Sequence, residues 1–196
     1  MMNQQFEIEF KNVLTKEQYE NLLKKFQVEE KMIVRQTNHY FDTPQFHLKA
    51  LSSGLRIRQT KNKTVVTLKE KTAENIHLET TEEITEEQAR NMLQGNGFVA
   101  DKVKEQLNRL NIPIEELKLF GSLTTDRVEI NYKGGTLVFD HSFYLQCDDY
   151  EVEYETDNEI EGKEIFQNFL EENQIAIQAA DKKIARFMKA LNDRKG

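Results

Sequence analysis

The sequence contains few residues that form covalent cross-links or break regular secondary structure. Its 196 residues include one cysteine, two prolines, eight glycines and no tryptophan. The single thiol, Cys147, excludes an intramolecular disulfide and favours a reducing compartment. Because proline and glycine are scarce and no low-complexity linker is present, we expect one domain over residues 1–196.

Long apolar segments are also missing. No run approaches the roughly 18 apolar residues that a membrane-spanning helix needs. The N-terminal sequence MMNQQFEIEF has neither a basic start nor an apolar stretch, so we expect no signal peptide. The net charge of −7 argues against nucleic-acid binding through overall charge. We therefore expect a cytoplasmic chain with no membrane and no nucleic-acid partner, and the oligomeric state stays open.

Three common catalytic signatures are missing as well. The sequence has no glycine-rich P-loop, so any triphosphate binding must use another structure. The four histidines do not have the spacing of a zinc site. Cys147 does not lie in a recognisable nucleophile motif. What the sequence does have is charge, since Asp, Glu, Lys and Arg make up 31% of the chain.

Signals for helices and strands are spread over the whole chain. Thr15 with Gln18, and Thr85 with Gln88, predict capping boxes at two helix starts. The predicted helices are 15–27, 85–94, 101–110, 161–173 and 179–192. The predicted strands are 4–11, 32–42, 53–60, 63–70, 77–84, 117–132, 136–141 and 149–157. Because most strands follow one another without an intervening helix, the pattern favours an antiparallel sandwich or closed barrel.

The strands separate apolar from charged side chains. In the first strand, FEIEFK, the residues Phe6, Ile8 and Phe10 share one face, and the residues between them are charged. The same alternation recurs at 55–58, 66–69, 127–130, 137–140 and 151–155. A solvated sheet face is one explanation. If helices instead cover the apolar outside of a barrel, the charged face lies inside, and Phe6, Ile8 and Phe10 anchor those helices.

Two features of the charged faces favour a binding site. They carry Arg, Lys and paired carboxylates, with few of the neutral polar residues expected of idle surface. Glu-x-Glu occurs at Glu7/Glu9 and again at Glu151/Glu153, which places each pair on one strand face roughly 7 Å apart. Oxygen ligands of this kind suit hard divalent cations, and Arg and Lys suit phosphate. Both together predict a site for a metal–polyphosphate complex.

The ordered set of motifs resembles the CYTH superfamily, also called triphosphate tunnel metalloenzymes. The family's E-x-E-x-K motif corresponds to EIEFK at 7–11, its YFDT element to 40–43, and its LRIR element to 55–58. The other matching residues are Lys69, Glu79, Arg127, Asp140, Glu151, Glu153, Lys183 and Arg186. The resemblance implies an α+β fold, with an eight-stranded antiparallel closed β-barrel, a charged lumen and helices on the outside.

The resemblance also implies roles for the charged residues, with Mg²⁺ or Mn²⁺ as the cofactor. The implied metal ligands are Glu7, Glu9, Asp140, Glu151 and Glu153. The implied phosphate-binding residues are Lys11, Arg56, Arg58, Lys69, Arg127, Lys183 and Arg186. The implied catalytic residues are Lys11, Arg56, Arg58 and Glu79, of which Glu79 orients the basic groups.

The function implied is metal-dependent hydrolysis of a small triphosphate, either inorganic triphosphate or an organic one. Two alternatives stay open. One is an adenylate cyclase of the same fold, and the other is a non-catalytic module that binds polyphosphate or nucleotide. The sequence does not decide between the possible triphosphates or between the two metals.

Overall fold

The structure is a computed structural model that describes residues 4–145, 147–178, 181 and 183–193. The strands are β1 (Gln4–Leu14), β2 (Val34–Asp42), β3 (Gly54–Gln59), β4 (Thr64–Lys71), β5 (Ile76–Glu83), β6 (Lys118–Tyr132), β7 (Gly135–Tyr144) and β8 (Cys147–Thr156). The helices are α1 (Lys16–Lys25), α2 (His47–Ala50), α3 (Glu86–Leu93), α4 (Asp101–Arg109), α5 (Glu159–Glu172) and α6 (Lys183–Asp193). Short 3₁₀ turns cover Glu30–Met32 and Ile114–Glu116.

The strands form a closed antiparallel barrel with the order β1-β5-β4-β3-β2-β6-β7-β8, and the helices lie mostly outside it. The predicted fold class is confirmed, and every predicted strand has a counterpart. The predicted start of the last helix, at 179, lies outside the described residues. Within the described residues, no helix combines the length and the apolar character needed to cross a bilayer.

The chain divides into two compact units, which we describe one at a time. The first unit comprises Met1–Phe6 with Gln36–Ser122, and the second comprises Glu7–Arg35 with Leu123–Gly196. The expectation of a single domain over residues 1–196 stays a prediction.

The core of the first unit lies between two strands and two helices. Leu55 and Ile57 of β3 and Val66 and Leu68 of β4 are almost completely buried. They belong to one apolar cluster with residues of α3 and α4, namely Ala89, Met92, Val103 and Leu107. The side chains that alternate with them along β3, Arg56 and Arg58, therefore point to the opposite, inner face.

The core of the second unit follows the same rule. Phe139, Val152 and Tyr154 of β7 and β8 are fully buried beneath helices α1 and α5. The helical residues in this cluster are Tyr19, Leu22, Phe166 and Phe169. The predicted alternation of apolar and charged faces is confirmed in both units.

One apolar residue of the first strand departs from the prediction. Phe10 is buried and stacks on Phe166 of α5, with ring centroids 6.2 Å apart. Phe6 lies four residues nearer the start of β1 and remains 66% exposed. The prediction that Phe6 anchors a helix is wrong, because α5 packs against β1 at Phe10 and not at the beginning of the strand.

Both predicted capping boxes are present. At α1, the backbone N–H of Gln18 donates to Thr15 Oγ1 at 3.1 Å, and the backbone N–H of Thr15 donates to Gln18 Oε1 at 2.9 Å. At α3, Thr85 and Gln88 exchange the equivalent pair of hydrogen bonds. Each box satisfies two backbone donors that a helix start leaves without partners.

Helix α2 was not predicted, and it depends on a residue of the preceding strand. Asp42 Oδ1 accepts from the backbone N–H groups of Thr43 (2.8 Å) and Leu48 (3.0 Å), and Asp42 Oδ2 accepts from that of Lys49 (3.0 Å). Asp42 is buried and Leu48 is 1% exposed. Asp42, the aspartate of the YFDT element, therefore has a structural role, because it holds a turn and a short helix in place.

Candidate functional site

Strand pairing places the charged residues of the second unit side by side on one face. Residues directly opposite each other in an antiparallel pair project from the same face of the sheet. The opposed pairs are Glu9 with Glu155, Lys11 with Glu153, Asp140 with Glu151, and Arg127 with Asp140. Acidic and basic side chains from four adjacent strands, β1, β8, β7 and β6, therefore share this inner face.

Three buried carboxylates form the centre of this face, and we call Asp140, Glu151 and Glu153 the carboxylate trio. Their side chains are 0%, 1% and 5% exposed. One oxygen from each can be chosen so that all three lie within 4.8 Å of one another. Burying three carboxylates this close together is costly unless cations accompany them.

The ammonium group of Lys183 lies among these oxygens. Lys183 Nζ is 2.8 Å from Asp140 Oδ2 and 2.8 Å from Glu153 Oε1, and it also contacts Glu151 Oε1. Lys183 is the first residue of α6, and its side chain is only 13% exposed. One tethered cation therefore contacts all three carboxylates at once.

A second cation, Arg127 of β6, holds the trio from another side. Its Nε and Nη2 donate to the two oxygens of Asp140 at 2.9 and 2.6 Å, and Nη2 also donates to Glu153 Oε2 at 2.9 Å. Burial acts to lower the pKa of Arg127, but Asp140 and Glu153 outweigh burial and raise the pKa well above its ordinary value. The guanidinium is therefore a permanent charge of the site.

The same environment shifts the pKa values of its neighbours in different directions. Burial alone would raise the pKa of Asp140, but the charges of Arg127 and Lys183 hold that pKa below its usual range. Burial and nearby Glu9 raise the pKa of Glu153. Burial lowers the pKa of Lys183 to about 7, against the attraction of Asp140. The ionised form of Asp140 is thus favoured more strongly than that of Glu153.

Arg186, one turn further along α6, contacts strand β8, as Lys183 does. Its Nε and Nη2 lie 2.8 and 3.0 Å from the two oxygens of Asp149, and its Nη1 lies 2.7 Å from Glu151 Oε2. The hydroxyl of Tyr144 donates to Asp149 Oδ2 at 2.6 Å. Arg186 therefore adds two ion pairs with β8 to those that Lys183 makes with Glu151 and Glu153.

The predicted residues of β1 lie at the edge of this network. Lys11 Nζ pairs with Glu9 Oε1 at 2.9 Å, and Glu9 is buried. Glu7 is partly buried and lies close enough to Glu155 to raise the pKa of Glu155. Neither Glu7 nor Glu9 belongs to the compact trio, so the structure brings together three of the five predicted metal ligands.

The first unit carries a second charged group, which we call the basic cluster: Arg56, Arg58 and Lys69. Arg56 Nη2 and Lys69 Nζ lie 3.9 and 3.6 Å from the same oxygen, Glu79 Oε1. Arg58 Nε donates to Asn38 Oδ1 at 2.9 Å. The side chains of Arg56, Lys69 and Glu79 are about a fifth exposed, so these three residues are more exposed to solvent than the carboxylate trio.

Three polar residues of these groups were not predicted. Asp149 lies two residues before Glu151 and Glu155 lies two residues after Glu153, so both share the strand face of that pair. Extending the Glu-x-Glu spacing by one step each way would therefore have found them. Asn38 could be found only from the pairing of β2 with β3, which places it opposite Arg58. Sequence spacing identifies neighbours along a strand but not across strands.

The carboxylate trio fits a hard divalent cation in its chemistry. It offers three oxygen donors from adjacent paired strands, which are the ligands that Mg²⁺ and Mn²⁺ prefer. Both oxygens of Glu151 are buried without a well-directed hydrogen bond from the described residues, although Lys183 and Arg186 lie at ion-pair distance. Such oxygens are balanced by charge and can exchange one cation for another.

The closed antiparallel barrel with charged inner strand faces defines the structural class of this protein. Comparison with known proteins identifies the family to which this barrel belongs. The model of the family described as "CYTH domain" matches residues 5–188. The chain belongs to this family, as its motifs predict.

Individual relatives support the assignment over nearly the whole chain. The chain is 40% identical over 186 residues to the Bacillus subtilis (strain 168) protein named "Putative triphosphatase YjbK", covering 95% of this chain and 96% of the relative. A Bacillus halodurans protein (bh2851) with a crystal structure, described as "a putative adenylate cyclase", is 37% identical. Its TM-score is 0.91, and the match covers 95% of this chain and 99% of that one.

A more distant structure supports the fold alone. The Hippeastrum protein HpAC1, described as a "putative adenylyl cyclase" with a dominant triphosphatase activity, has a TM-score of 0.78 at 22% identity. The match covers 94% of this chain and 95% of that one. The same barrel therefore occurs in proteins described by two different activities.

Proposed function

We propose that this protein is a divalent-metal-dependent triphosphatase that hydrolyses a small triphosphate. The observation that carries the proposal is the buried carboxylate trio, which lies in direct contact with the cations Arg127 and Lys183. Carboxylates hold metal and cations hold phosphate, so a site with both suits a metal–triphosphate complex. The name of the 40%-identical relative, which includes the word triphosphatase, supports the same reaction.

In this proposal the second unit holds the metal. Asp140, Glu151 and Glu153 are the primary ligands, and Glu7 and Glu9 of β1 are further proposed ligands. A bound Mg²⁺ or Mn²⁺ supplies positive charge against the charge that develops on the transferred phosphoryl group. Arg127 holds Asp140 in one orientation through two hydrogen bonds, so the ligand oxygens are fixed before substrate arrives.

The basic side chains bind phosphate oxygens. The proposed phosphate-binding residues are Lys11, Arg56, Arg58, Lys69, Arg127, Lys183 and Arg186. Among them Lys11, Arg56 and Arg58 are the proposed catalytic residues, which we expect to contact the reacting phosphate. Glu79 lies within 4 Å of Arg56 and Lys69 and orients both groups. An Arg fork positions phosphate in a way that a single point charge does not.

The test is phosphate release from inorganic triphosphate, ATP and thiamine triphosphate, each with Mg²⁺, with Mn²⁺ and with a chelator. We expect metal-dependent release from at least one of the three compounds. Binding of all three without turnover would replace the proposal with a non-catalytic polyphosphate-binding module. The cytoplasmic location expected from the sequence stays a prediction.

An adenylate cyclase is the second candidate, and one observation favours it. The 37%-identical Bacillus halodurans protein is described as "a putative adenylate cyclase". In the same assay with ATP, a cyclase releases pyrophosphate and cyclic AMP, whereas a triphosphatase releases inorganic phosphate. The identity of the product therefore decides between the two candidates.

A further inference from the structure

The position of the Lys183 ammonium has a consequence for metal binding. Lys183 Nζ contacts one oxygen of each trio member, and these include Asp140 Oδ2 and Glu153 Oε1 at 2.8 Å. These are the residues whose oxygens come within 4.8 Å of one another. An ion coordinated by the three carboxylates would need the space that the ammonium fills.

Lysine and metal cannot occupy this place together. Mg²⁺ is coordinated at about 2.0–2.1 Å by its oxygen ligands, so a cation at the trio would lie in close contact with an undisplaced ammonium. Two positive charges at such a distance in a buried site repel strongly. The ammonium must therefore withdraw when the metal enters.

Helix α6 can stay in place while Lys183 withdraws. Arg186 forms two hydrogen bonds with Asp149, and Phe187 is 4% exposed, so the helix has anchors that do not involve the trio. A lysine side chain has four carbons of flexible stem, which allow the ammonium to swing several ångströms. Withdrawal leaves a buried ammonium that needs a new anionic partner.

We propose that Lys183 is a tethered competitor of the metal, and that it makes the metal and the triphosphate bind together. In the metal-free protein the ammonium occupies the carboxylate trio. When metal and triphosphate enter, the metal takes the carboxylates and the phosphate oxygens receive the ammonium. The inference rests on the proposed function and deepens it, because it assigns to Lys183 the coupling between metal binding and triphosphate binding.

The first test measures Mn²⁺ binding without any phosphate compound, from the electron paramagnetic resonance signal of free Mn²⁺. Lys183→Met should bind Mn²⁺ at least tenfold more tightly than the wild type. Lys189→Met is the matched control, because Lys189 lies on the same helix and is exposed, and its affinity should equal that of the wild type. Equal or weaker binding by the Lys183 variant overturns the proposal.

A second measurement uses only the wild-type protein, in case the variant does not fold. Acylation of each lysine is followed by mass spectrometry with and without saturating Mn²⁺. Displacement from the trio should increase the rate of modification at Lys183 several-fold and leave Lys189 unchanged. Bound Mn²⁺ with Lys183 as unreactive as before contradicts the proposal.

A kinetic measurement separates this role from a merely structural one. Lys183→Met should lower the Mn²⁺ concentration for half-maximal turnover and raise the KM for triphosphate. A structural defect would instead raise both the Mn²⁺ concentration for half-maximal turnover and the KM for triphosphate, and that result counts against the proposal. Absence of hydrolysis in every protein, including the wild type, refutes the proposed function, whereas hydrolysis with unchanged Mn²⁺ affinity in the variant refutes only the role of Lys183.

Discussion

The charged faces of the two units differ in how tightly their side chains are held. In the second unit the carboxylate trio is almost fully buried, and its contacts to Arg127 and Lys183 are 2.9 Å or shorter. In the first unit Arg56, Lys69 and Glu79 are about a fifth exposed, and the contacts of Arg56 and Lys69 to Glu79 are 3.9 and 3.6 Å. The same strand alternation thus produces one preorganised acidic group and one looser basic group.

The difference has a physical cause. Helix α6 supplies Lys183 and Arg186 to the acidic face of β8, so those carboxylates are removed from water and must be paired. Glu79 also has two cationic neighbours, and although the Oε1 that faces them is buried, its side chain as a whole is 20% exposed, so solvent screens its charge more than that of the trio. We therefore expect substitutions in the second unit to cost stability, and substitutions in the first to cost mainly ligand affinity.

The largest expected effect is on stability. Arg127→Met leaves Asp140 and Glu153 buried without their main partner, which should cost about 3–5 kcal/mol of unfolding free energy. Arg56→Met is the matched change in the first unit and should cost about 1 kcal/mol or less. Urea denaturation of the two variants measures the difference. Equal losses would show that the two clusters are energetically alike.

The next effect is on metal-dependent activity. Glu151→Gln keeps the shape of the side chain but removes a proposed ligand charge, so turnover with Mn²⁺ should fall at least about 100-fold. Glu164→Gln is the control, because Glu164 lies on helix α5 and its side chain is exposed. Initial rates at several Mn²⁺ concentrations give the comparison. Activity of the Glu151 variant within a few-fold of the wild type would exclude that carboxylate as a ligand.

A smaller effect should appear in substrate affinity. Arg58→Ala should weaken triphosphate binding by more than the roughly 1 kcal/mol typical of an exposed ion pair. The free energy of unfolding should change little, in contrast to Arg127→Met. Calorimetric titration with triphosphate and a urea denaturation curve separate the two effects. A loss of affinity no larger than that of an exposed pair would identify a solvated face.

The smallest effect concerns pH. Burial raises the pKa of Glu155 to about 8, from an ordinary value of 4.5. The folded state therefore holds a proton that the unfolded state releases, and the contribution of Glu155 to stability falls as the pH rises from about 4.5 to about 8. Glu155→Gln should remove this fall, so the variant should gain at least about 1 kcal/mol relative to the wild type between pH 5 and pH 9. Urea curves at both pH values test this, and a gain as large in Glu164→Gln would contradict it.

Much of the fold follows from strand alternation. The residues Leu55, Ile57, Val128 and Phe139 were predicted to share the helix-covered side, and all four are buried. This succeeds because a period of two along a strand directly fixes which face a side chain takes. Phe6 shows what alternation cannot predict. Alternation gives the strand face of a residue, but it does not say whether a helix covers that position, and Phe6 is left exposed.

The candidate site was predictable in its residue types but not in its grouping. The Glu-x-Glu spacing identifies Glu151 and Glu153, yet Asp140 joins them only through the register of β7 with β8. The contact of Lys183 with all three depends on the docking of a helix about 30 residues further along the chain. Long-range pairing of this kind leaves no periodic signal in the sequence.

The acidic face of β8 also has a consequence for biosynthesis. A ribosome makes the chain from its N-terminus, and domains begin to fold as they emerge. Strands β6 to β8, which include Arg127 and the trio, are complete before Lys183 and Arg186 have been added. Until then two of the cations that balance Asp149, Glu151 and Glu153 do not yet exist. Helix α6, which is synthesised after all eight strands, is therefore the one that neutralises the centre of the acidic face.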